Sequence, residues 1–295
     1  MTFYSRKNTG DRVGQYGGVT EVLSRLNKVN ESINGEIQAQ KDSGAQESYF
    51  IVVGHSFGAQ VVYDSLLTIM TDNLVGTRVS RYMERLRTGT PREVHQETSE
   101  SRQYREPELV RPFGNLVVLV NPAFEGERYF NLKSLSELFQ YRPAQRPVLA
   151  IFCSETDWAT HYAFRAGRFF GTLFRRYRQD DLHDLQRESD VQTIPWTDEF
   201  VTHRLVAKGE YLPGNAVPET TRWDEGTRAR AWNIGECVLY PVKGDGATWT
   251  PFYVARVSKA VIDGHNDIWN GVFQGFLTHF IGTVAQEKKA QGKKD

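Results

Sequence analysis

A serine between two glycines is the strongest chemical signal in the sequence. The segment Gly54-His55-Ser56-Phe57-Gly58 fits the pattern G-x-S-x-G, and it lies between a short apolar run, residues 49–53, and a stretch with helical apolar spacing. A sharp strand-to-helix turn needs small residues two before and two after the serine, because the strand and the helix approach closely there. Such a turn strains the serine backbone and presents its hydroxyl above the sheet. The pattern therefore predicts that Ser56 is a nucleophile.

A serine nucleophile needs a histidine as its general base, because a serine hydroxyl is unreactive at neutral pH. The chain has seven histidines. His265 follows the last predicted strand in a glycine-containing loop, at the edge where open α/β sheets place their sites. We therefore expect His265 to be the base, with His161 and His203 as open alternatives. His55, beside the serine, is expected to point away from the site.

The histidine in turn needs a carboxylate that orients it. Asp157 follows the predicted strand at 148–153, so it is expected at the same edge of the sheet as Ser56 and His265. Glu155 is the alternative acid. Asp263 and Asp267 are expected to be turn or helix-cap residues.

An oxyanion that forms on a substrate needs hydrogen-bond donors. The backbone amide of Phe57, at the start of the predicted helix, is expected to be one donor. A second donor normally comes from a loop after an earlier strand. Apart from the run at 49–53 that leads to the serine, however, the 55 residues before Ser56 contain one good helix and no convincing strand. The sequence therefore predicts a chain that lacks the first strands and half of the oxyanion hole, with the strand before Ser56 at a sheet edge.

Apolar periodicity predicts the elements that position these residues. Helical spacing predicts an amphipathic helix from Thr20, weakened at Gly35, a buried helix after Gly58 and a final helix after His265. Short apolar runs predict four buried strands, at 49–53, 116–120, 148–153 and 251–262. Strands separated by helical or loop-rich connections imply a mostly parallel sheet, so the expected fold class is α/β.

Two segments without clear periodicity are expected to lie outside the sheet. Residues 76–114 are rich in Arg, Glu, Thr and Ser, which is typical of a long surface excursion. Residues 158–249 are expected to form an inserted cap or lid within a single domain over 1–295. The aromatic residues of this cap either line a pocket or pack the cap on the core; they are Trp158, Tyr162, Phe164, Phe169, Phe170 and Phe174.

The composition disfavours several classes of partner. Thirty-six basic and 36 acidic side chains give a net charge of zero, so nothing attracts nucleic acid or an anionic membrane surface. No apolar run approaches the ~20 residues that span a bilayer, and residues 1–7 lack the apolar core of a secretory signal. We expect no integral membrane association and, by default, a cytoplasmic location.

The sequence implies no metal ion and no organic cofactor. Cys153 and Cys237 lie far apart and cannot form a zinc cluster by themselves. Cys153 lies within an apolar strand and is expected to pack in the core.

The segments quoted above resemble the α/β-hydrolase superfamily, and in particular a branch of uncharacterised bacterial and fungal hydrolases. The resemblance extends from about Thr20 onward and is carried by residues 49–58, by Asn121-Pro122-Ala123-Phe124-Glu125, by Asp157-Trp158-Ala159-Thr160 and by Gly264-His265-Asn266-Asp267. The order of serine, aspartate and histidine along the chain also matches. The hundred or so residues between Asp157 and His265 depart from the superfamily, because its cap more commonly precedes the acid.

The resemblance implies a serine hydrolase that cleaves a carboxylic ester, in a small molecule or a lipid, through an acyl-enzyme. An acyltransferase, a thioesterase, a lipase or a peptidase remains an alternative, because loop geometry sets the leaving group and the acceptor. A non-catalytic or weakly active binding module on the same scaffold is an alternative of another class.

Overall fold

The computed structural model describes residues 9–10, 12–14, 17–40, 46–88, 109–139, 141, 145–166, 183–210, 231–242 and 250–285. Five helices of eight or more residues occur in these ranges: α1 (Gly18–Ala39), α2 (Phe57–Thr88), α3 (Gly126–Glu137), α4 (His183–Val191) and α5 (Gly271–Ala285). Within the described ranges, every helix is too short or too polar to cross a bilayer.

Seven strands form one mixed sheet. They are β1 (Ile51–His55), β2 (Leu116–Val120), β3 (Leu149–Ser154), β4 (His203–Ala207), β5 (Trp232–Ile234), β6 (Cys237–Pro241) and β7 (Phe252–Val257). Their order across the sheet is β1-β2-β3-β7-β4-β6-β5. The first five strands of this order are parallel, and β6 and β5 are antiparallel to their neighbours. The predicted α/β class with a mostly parallel sheet is therefore confirmed.

Side-chain alternation along the strands divides the core into two clusters, one on each face of the sheet. In β2, Val117 and Leu119 pack with the α2 residues Tyr63 and Leu66. The alternate β2 residues pack with the aromatic side chains of α5, which are Phe273, Phe276 and Phe280. Both faces of β2 are buried, which is why its sequence is a continuous apolar run instead of an alternating pattern. Helices on both faces of the sheet make a three-layer architecture.

Two of the sequence predictions about the segments outside the sheet are wrong. Residues 76–88 continue α2 instead of starting a surface excursion; residues 89–108 lie outside the described part. The predicted cap, 158–249, contributes β4, β5 and β6 to the main sheet. These strands are only three to five residues long, and polar residues such as Arg204 and Asn233 interrupt their apolar pattern, which is why the periodicity did not reveal them.

The aromatic residues of the predicted cap fall into two environments. Phe164 is buried, whereas Trp158 and Tyr162 are exposed. Phe169, Phe170 and Phe174 lie outside the described residues. Of the three described residues, only Phe164 therefore has the buried position expected for packing of the cap on the core.

One end of the described sheet is the strand that leads to the serine. β1 pairs with β2 only, and Val53 on β1 is half exposed. Helix α1 contacts the rest of the protein through Leu23, through a hydrogen bond from the Thr20 hydroxyl to the Ser65 carbonyl, and through hydrogen bonds between Asn34 and Ser48. The apolar stripe of α1 is exposed as well. That stripe consists of Val22, Leu26, Val29 and Ile33.

A buried histidine makes the sheet sensitive to acid. His203 on β4 is 2% exposed and stacks on Tyr253 of β7 with ring centroids 4.0 Å apart. Its Nδ1 lies 2.8 Å from the Thr202 hydroxyl. Burial lowers the pKa of His203 to about 3, because a charged imidazolium loses its hydration there.

We expect His203 to destabilise the fold as the pH falls. The folded pKa lies below the unfolded value of ~6.5, so protonation favours the unfolded chain. The penalty is absent above pH ~6.5 and grows by ~1.4 kcal/mol per pH unit down to the folded pKa. Urea unfolding at pH 7 and pH 5 measures it: the unfolding free energy of the wild type should fall by ~2 kcal/mol more than that of His203→Phe, which keeps the aromatic stack.

The exposed His279 on α5 provides the control. His279→Phe should keep the acid sensitivity of the wild type. Equal pH dependence in the wild type and in His203→Phe would contradict the assignment.

Candidate functional site

The turn between β1 and α2 holds Ser56 in a left-handed backbone conformation, with φ of 54°. Residues other than glycine rarely adopt this region, and its strain is typical of functional positions. The turn is tied down on both sides. The Ser56 amide donates to the Val120 carbonyl at 3.1 Å, and the Ser56 carbonyl accepts from the amides of Ala59 and Ala123 at 3.1 and 3.2 Å. These bonds keep the Ser56 side chain at the carboxyl edge of the sheet.

The two glycines of the motif have different roles. A Cβ on Gly54 would lie 2.7 Å from the Cα of Ala59, so the close approach of strand and helix requires glycine there. A Cβ on Gly58 would meet no atom within 4 Å. The prediction that both glycines permit the close approach is therefore right for Gly54 and wrong for Gly58.

The structure brings Ser56, His265 and Asp157 together in one hydrogen-bonded chain. The Nε2 of His265 lies 2.8 Å from the Ser56 Oγ, and the Nδ1 of His265 lies 2.8 Å from the Asp157 Oδ2. Asp157 is fully buried. Its other oxygen, Oδ1, accepts from the amides of Ala159 and Thr160 at 2.9 and 3.1 Å, so both carboxylate oxygens are satisfied and the side chain is held in place.

The alternative acids have other partners. Glu155 forms an ion pair with Arg204 of β4. The Asp263 side chain accepts from the Thr156 hydroxyl at 3.1 Å, and the Asp267 Oδ2 accepts from the Asp263 amide at 3.0 Å, so these two aspartates shape the loop around His265 as the sequence predicted.

The alternative histidines also lie elsewhere. His161 stacks on Trp196 with ring centroids 3.7 Å apart, and His203 is buried in the sheet. His55, in contrast, takes part in the site although it was expected to point away. Its Nε2 donates to the His265 carbonyl at 2.8 Å, and the two rings lie 5.0 Å apart. Burial lowers the pKa of His55, and the hydrogen bond to the His265 carbonyl offsets part of that shift.

Asn121 holds the same loop and was missed as a site residue. It follows β2 with φ of 45°. Its side-chain amide donates to the carbonyls of Gly264 and His265 at 3.1 and 2.9 Å, and its Oδ1 accepts from the Ser154 amide at 2.9 Å. Its place directly after a buried strand was visible in the sequence, but an Asn-Pro pair is also an ordinary turn signal.

The described residues show no arrangement suited to a metal ion: no group of three or more His, Cys, Asp or Glu side chains converges among them. Cys153 and Cys237 are both buried, as predicted for Cys153. Burial raises the pKa of both thiols, that of Cys237 to about 12. Neither thiol therefore carries a charge at neutral pH.

Comparison of the chain with protein-family models, with curated proteins and with solved structures finds no match in any of the three.

Substitution of the two motif glycines by alanine should have opposite effects on stability. Gly54→Ala places a methyl group against the backbone of α2 and should lower the unfolding free energy by ~1–3 kcal/mol. Gly58→Ala, in the first turn of α2 and in open space, should raise it by ~0.5–1 kcal/mol, because alanine loses less backbone entropy in a helix. Urea denaturation of the two variants is the measurement. Equal effects would mean that strand and helix are not in close contact at Gly54.

Proposed function

We propose that this protein is a serine hydrolase of the α/β-hydrolase type that cleaves carboxylic esters through an acyl-enzyme. The observation that carries the proposal is the continuous chain from Asp157 through His265 to Ser56, with both hydrogen bonds at 2.8 Å. A nucleophile bonded to a base, and a base oriented by a buried acid, is the arrangement that activates a serine. This alignment favours an enzyme over a non-catalytic module, because binding alone would not require the three side chains to be aligned.

In the first half of the reaction, the Ser56 Oγ attacks the ester carbonyl carbon and its proton passes to the His265 Nε2. Asp157 fixes the tautomer of His265 with the other proton on Nδ1 and stabilises the imidazolium that forms. The tetrahedral intermediate collapses when the carbon–oxygen bond to the alcohol breaks. The departing alkoxide takes the proton from Nε2 and leaves as the neutral alcohol, with the acyl group on Ser56.

In the second half, His265 removes a proton from water, and the hydroxide attacks the acyl carbon. The second tetrahedral intermediate collapses with return of the proton to the Ser56 Oγ, which releases the carboxylic acid. Throughout, the amide of Phe57, the first residue of α2, is the proposed donor to the oxyanion. The positive end of the α2 dipole favours negative charge at the same place.

Asn121 and His55 are proposed positioning residues. Three of their hydrogen bonds end on the carbonyls of Gly264 and His265, and these bonds fix the backbone from which the His265 ring extends. A displacement of about 1 Å at a catalytic group costs on the order of 10²-fold in rate. Rigid support of the loop is therefore part of what keeps the His265 Nε2 within reach of Ser56.

Removal of the nucleophile should abolish activity. We expect the wild type to hydrolyse p-nitrophenyl butyrate and to react with a fluorophosphonate probe. Ser56→Ala should lose labelling and reduce kcat by ~10⁴-fold or more, and Asp157→Asn should reduce kcat by ~10⁴-fold. Ser32→Ala, at an exposed serine of α1, is the matched control and should keep both properties. A folded wild-type protein with neither hydrolysis nor labelling would contradict the proposal and favour a binding module.

Loss of the Asn121 amide should impair catalysis without removing any group of the triad. Asn121→Asp keeps the acceptor for the Ser154 amide but replaces the donor to the two loop carbonyls by an oxygen that repels them. We expect kcat to fall ~10²-fold with KM nearly unchanged. Asn73→Asp removes another side-chain donor to a carbonyl, that of Arg111, away from the site, and should leave kcat as in the wild type. Wild-type kcat in folded Asn121→Asp would refute the positioning role.

A further inference from the structure

A groove of about 430 Å³ begins at Ser56 and runs along the first turns of α2. One wall belongs to α2 and consists of Phe57, Gly58 and Val61, while the opposite wall belongs to the N-terminal segment and consists of Thr9, Gly10 and Val13. His55 lines the groove at its Ser56 end. The groove thus lies between α2, the helix that begins next to Ser56, and the N-terminal segment.

The N-terminal wall is fixed on α2. A Cβ on Gly14 would lie 2.8 Å from the Asp64 Cβ, so the backbone there is in direct contact with the helix. The Gly14 carbonyl also accepts from the Ser65 hydroxyl at 3.4 Å. Asp64 is itself anchored by an ion pair with Arg128 of α3 at 2.7 Å. The contacts of the Gly14 backbone with Asp64 and Ser65 therefore hold this wall against α2.

The groove lies on the side of Ser56 that suits the acyl group. The proposed mechanism requires the leaving alcohol to take its proton from the His265 Nε2, so the alcohol must lie toward His265. The described residues that line the groove include Ser56 and Phe57 but not His265. An ester carbonyl at Ser56 with its alcohol toward His265 directs its acyl chain into the groove.

The lining also indicates the chemistry of that chain. Val13 and Val61 supply apolar surface, and the described lining residues include no Asp, Glu, Lys or Arg. A charged acyl terminus would lose hydration there without gaining a counter-charge. The volume equals about 14 water molecules at ~30 Å³ each, which is room for an aliphatic acyl chain.

We propose that this groove is the acyl-binding site and that it selects esters of uncharged, aliphatic acids; the inference rests on the proposed hydrolase function. Val61 and Val13 are its specificity-determining residues, because their side chains are the aliphatic surface that a chain meets beyond Ser56. Val61 is the better probe, because it projects from the regular helix α2.

The test compares kcat/KM for three p-nitrophenyl esters: the acetate, the hexanoate, and the monoester of adipic acid, which has the length of hexanoate but ends in a carboxylate. A fully buried methylene contributes about fourfold, so partial burial of the four additional methylenes should make hexanoate at least tenfold better than acetate. The adipate ester should be at least tenfold worse than hexanoate. Ser56→Ala supplies the background in every arm.

Variants of Val61 then connect the preference to the groove. Val61→Phe should lower the hexanoate-to-acetate ratio of kcat/KM about tenfold, because the larger side chain fills the groove. Val61→Ala should shift the preference toward a longer chain, measured with p-nitrophenyl decanoate as a fourth ester. Val75→Phe, at an exposed valine further along α2, is the control and should leave the ratio unchanged.

The outcomes separate the two proposals. Ser56-dependent hydrolysis with no preference for hexanoate, or with a preference that neither Val61 variant changes, would overturn the acyl-site assignment and leave the hydrolase proposal standing. Absence of hydrolysis of all three esters by folded wild-type protein would refute the proposed function, and the acyl-site assignment would fail with it.

Discussion

The parallel register of β1, β2, β3 and β7 is the constraint on which the rest of this structure depends. Parallel strands carry their carboxyl ends at the same edge, so the loops after all four strands meet there. Ser56 follows β1, Asn121 follows β2, Asp157 follows β3 and His265 follows β7. Residues up to 209 positions apart in the chain thereby come within hydrogen-bond distance. The two buried core clusters hold the register, because a slip by one residue would exchange the apolar faces of every strand.

Local strain and hydrogen bonding then determine the geometry within that edge. Ser56 and Asn121 both have positive φ without being glycine, and each is held by hydrogen bonds that extend to a neighbouring element of the sheet. The cost of such conformations, of order 1–3 kcal/mol each, is offset only where the surroundings determine the backbone completely. The site is therefore rigid because the sheet is rigid. The loop that carries His265 is also held by the hydrogen bonds that Asn121 and His55 donate to its carbonyls.

Much of the site was predictable because its signals are local. The G-x-S-x-G turn depends on steric requirements within a few residues, and the continuous apolar runs of β2 and β3 are typical of strands buried on both faces. Asp157 and His265 were selected by their position just after predicted strands, and the structure brings both side chains to Ser56. Strands β4, β5 and β6 were not predictable from periodicity, because they are short. Whether this part of the chain forms a cap or joins the sheet depends on the pairing of β4 with β7, about 50 residues further along the chain.

The sequence by itself determined the α/β class, the strand-turn-helix at Ser56 and the order of the three residues along the chain, because these features follow from spacing and residue type. Only the tertiary structure decided that His265 pairs with Asp157 and not with Glu155, since that choice depends on Glu155 forming its ion pair with Arg204 on β4. It also decided that Asn121 and His55 support the His265 loop, and that Thr9, Gly10 and Val13 form a wall of the groove beside Ser56. Each of these contacts joins segments that are distant in the chain, and no local pattern of residues encodes them.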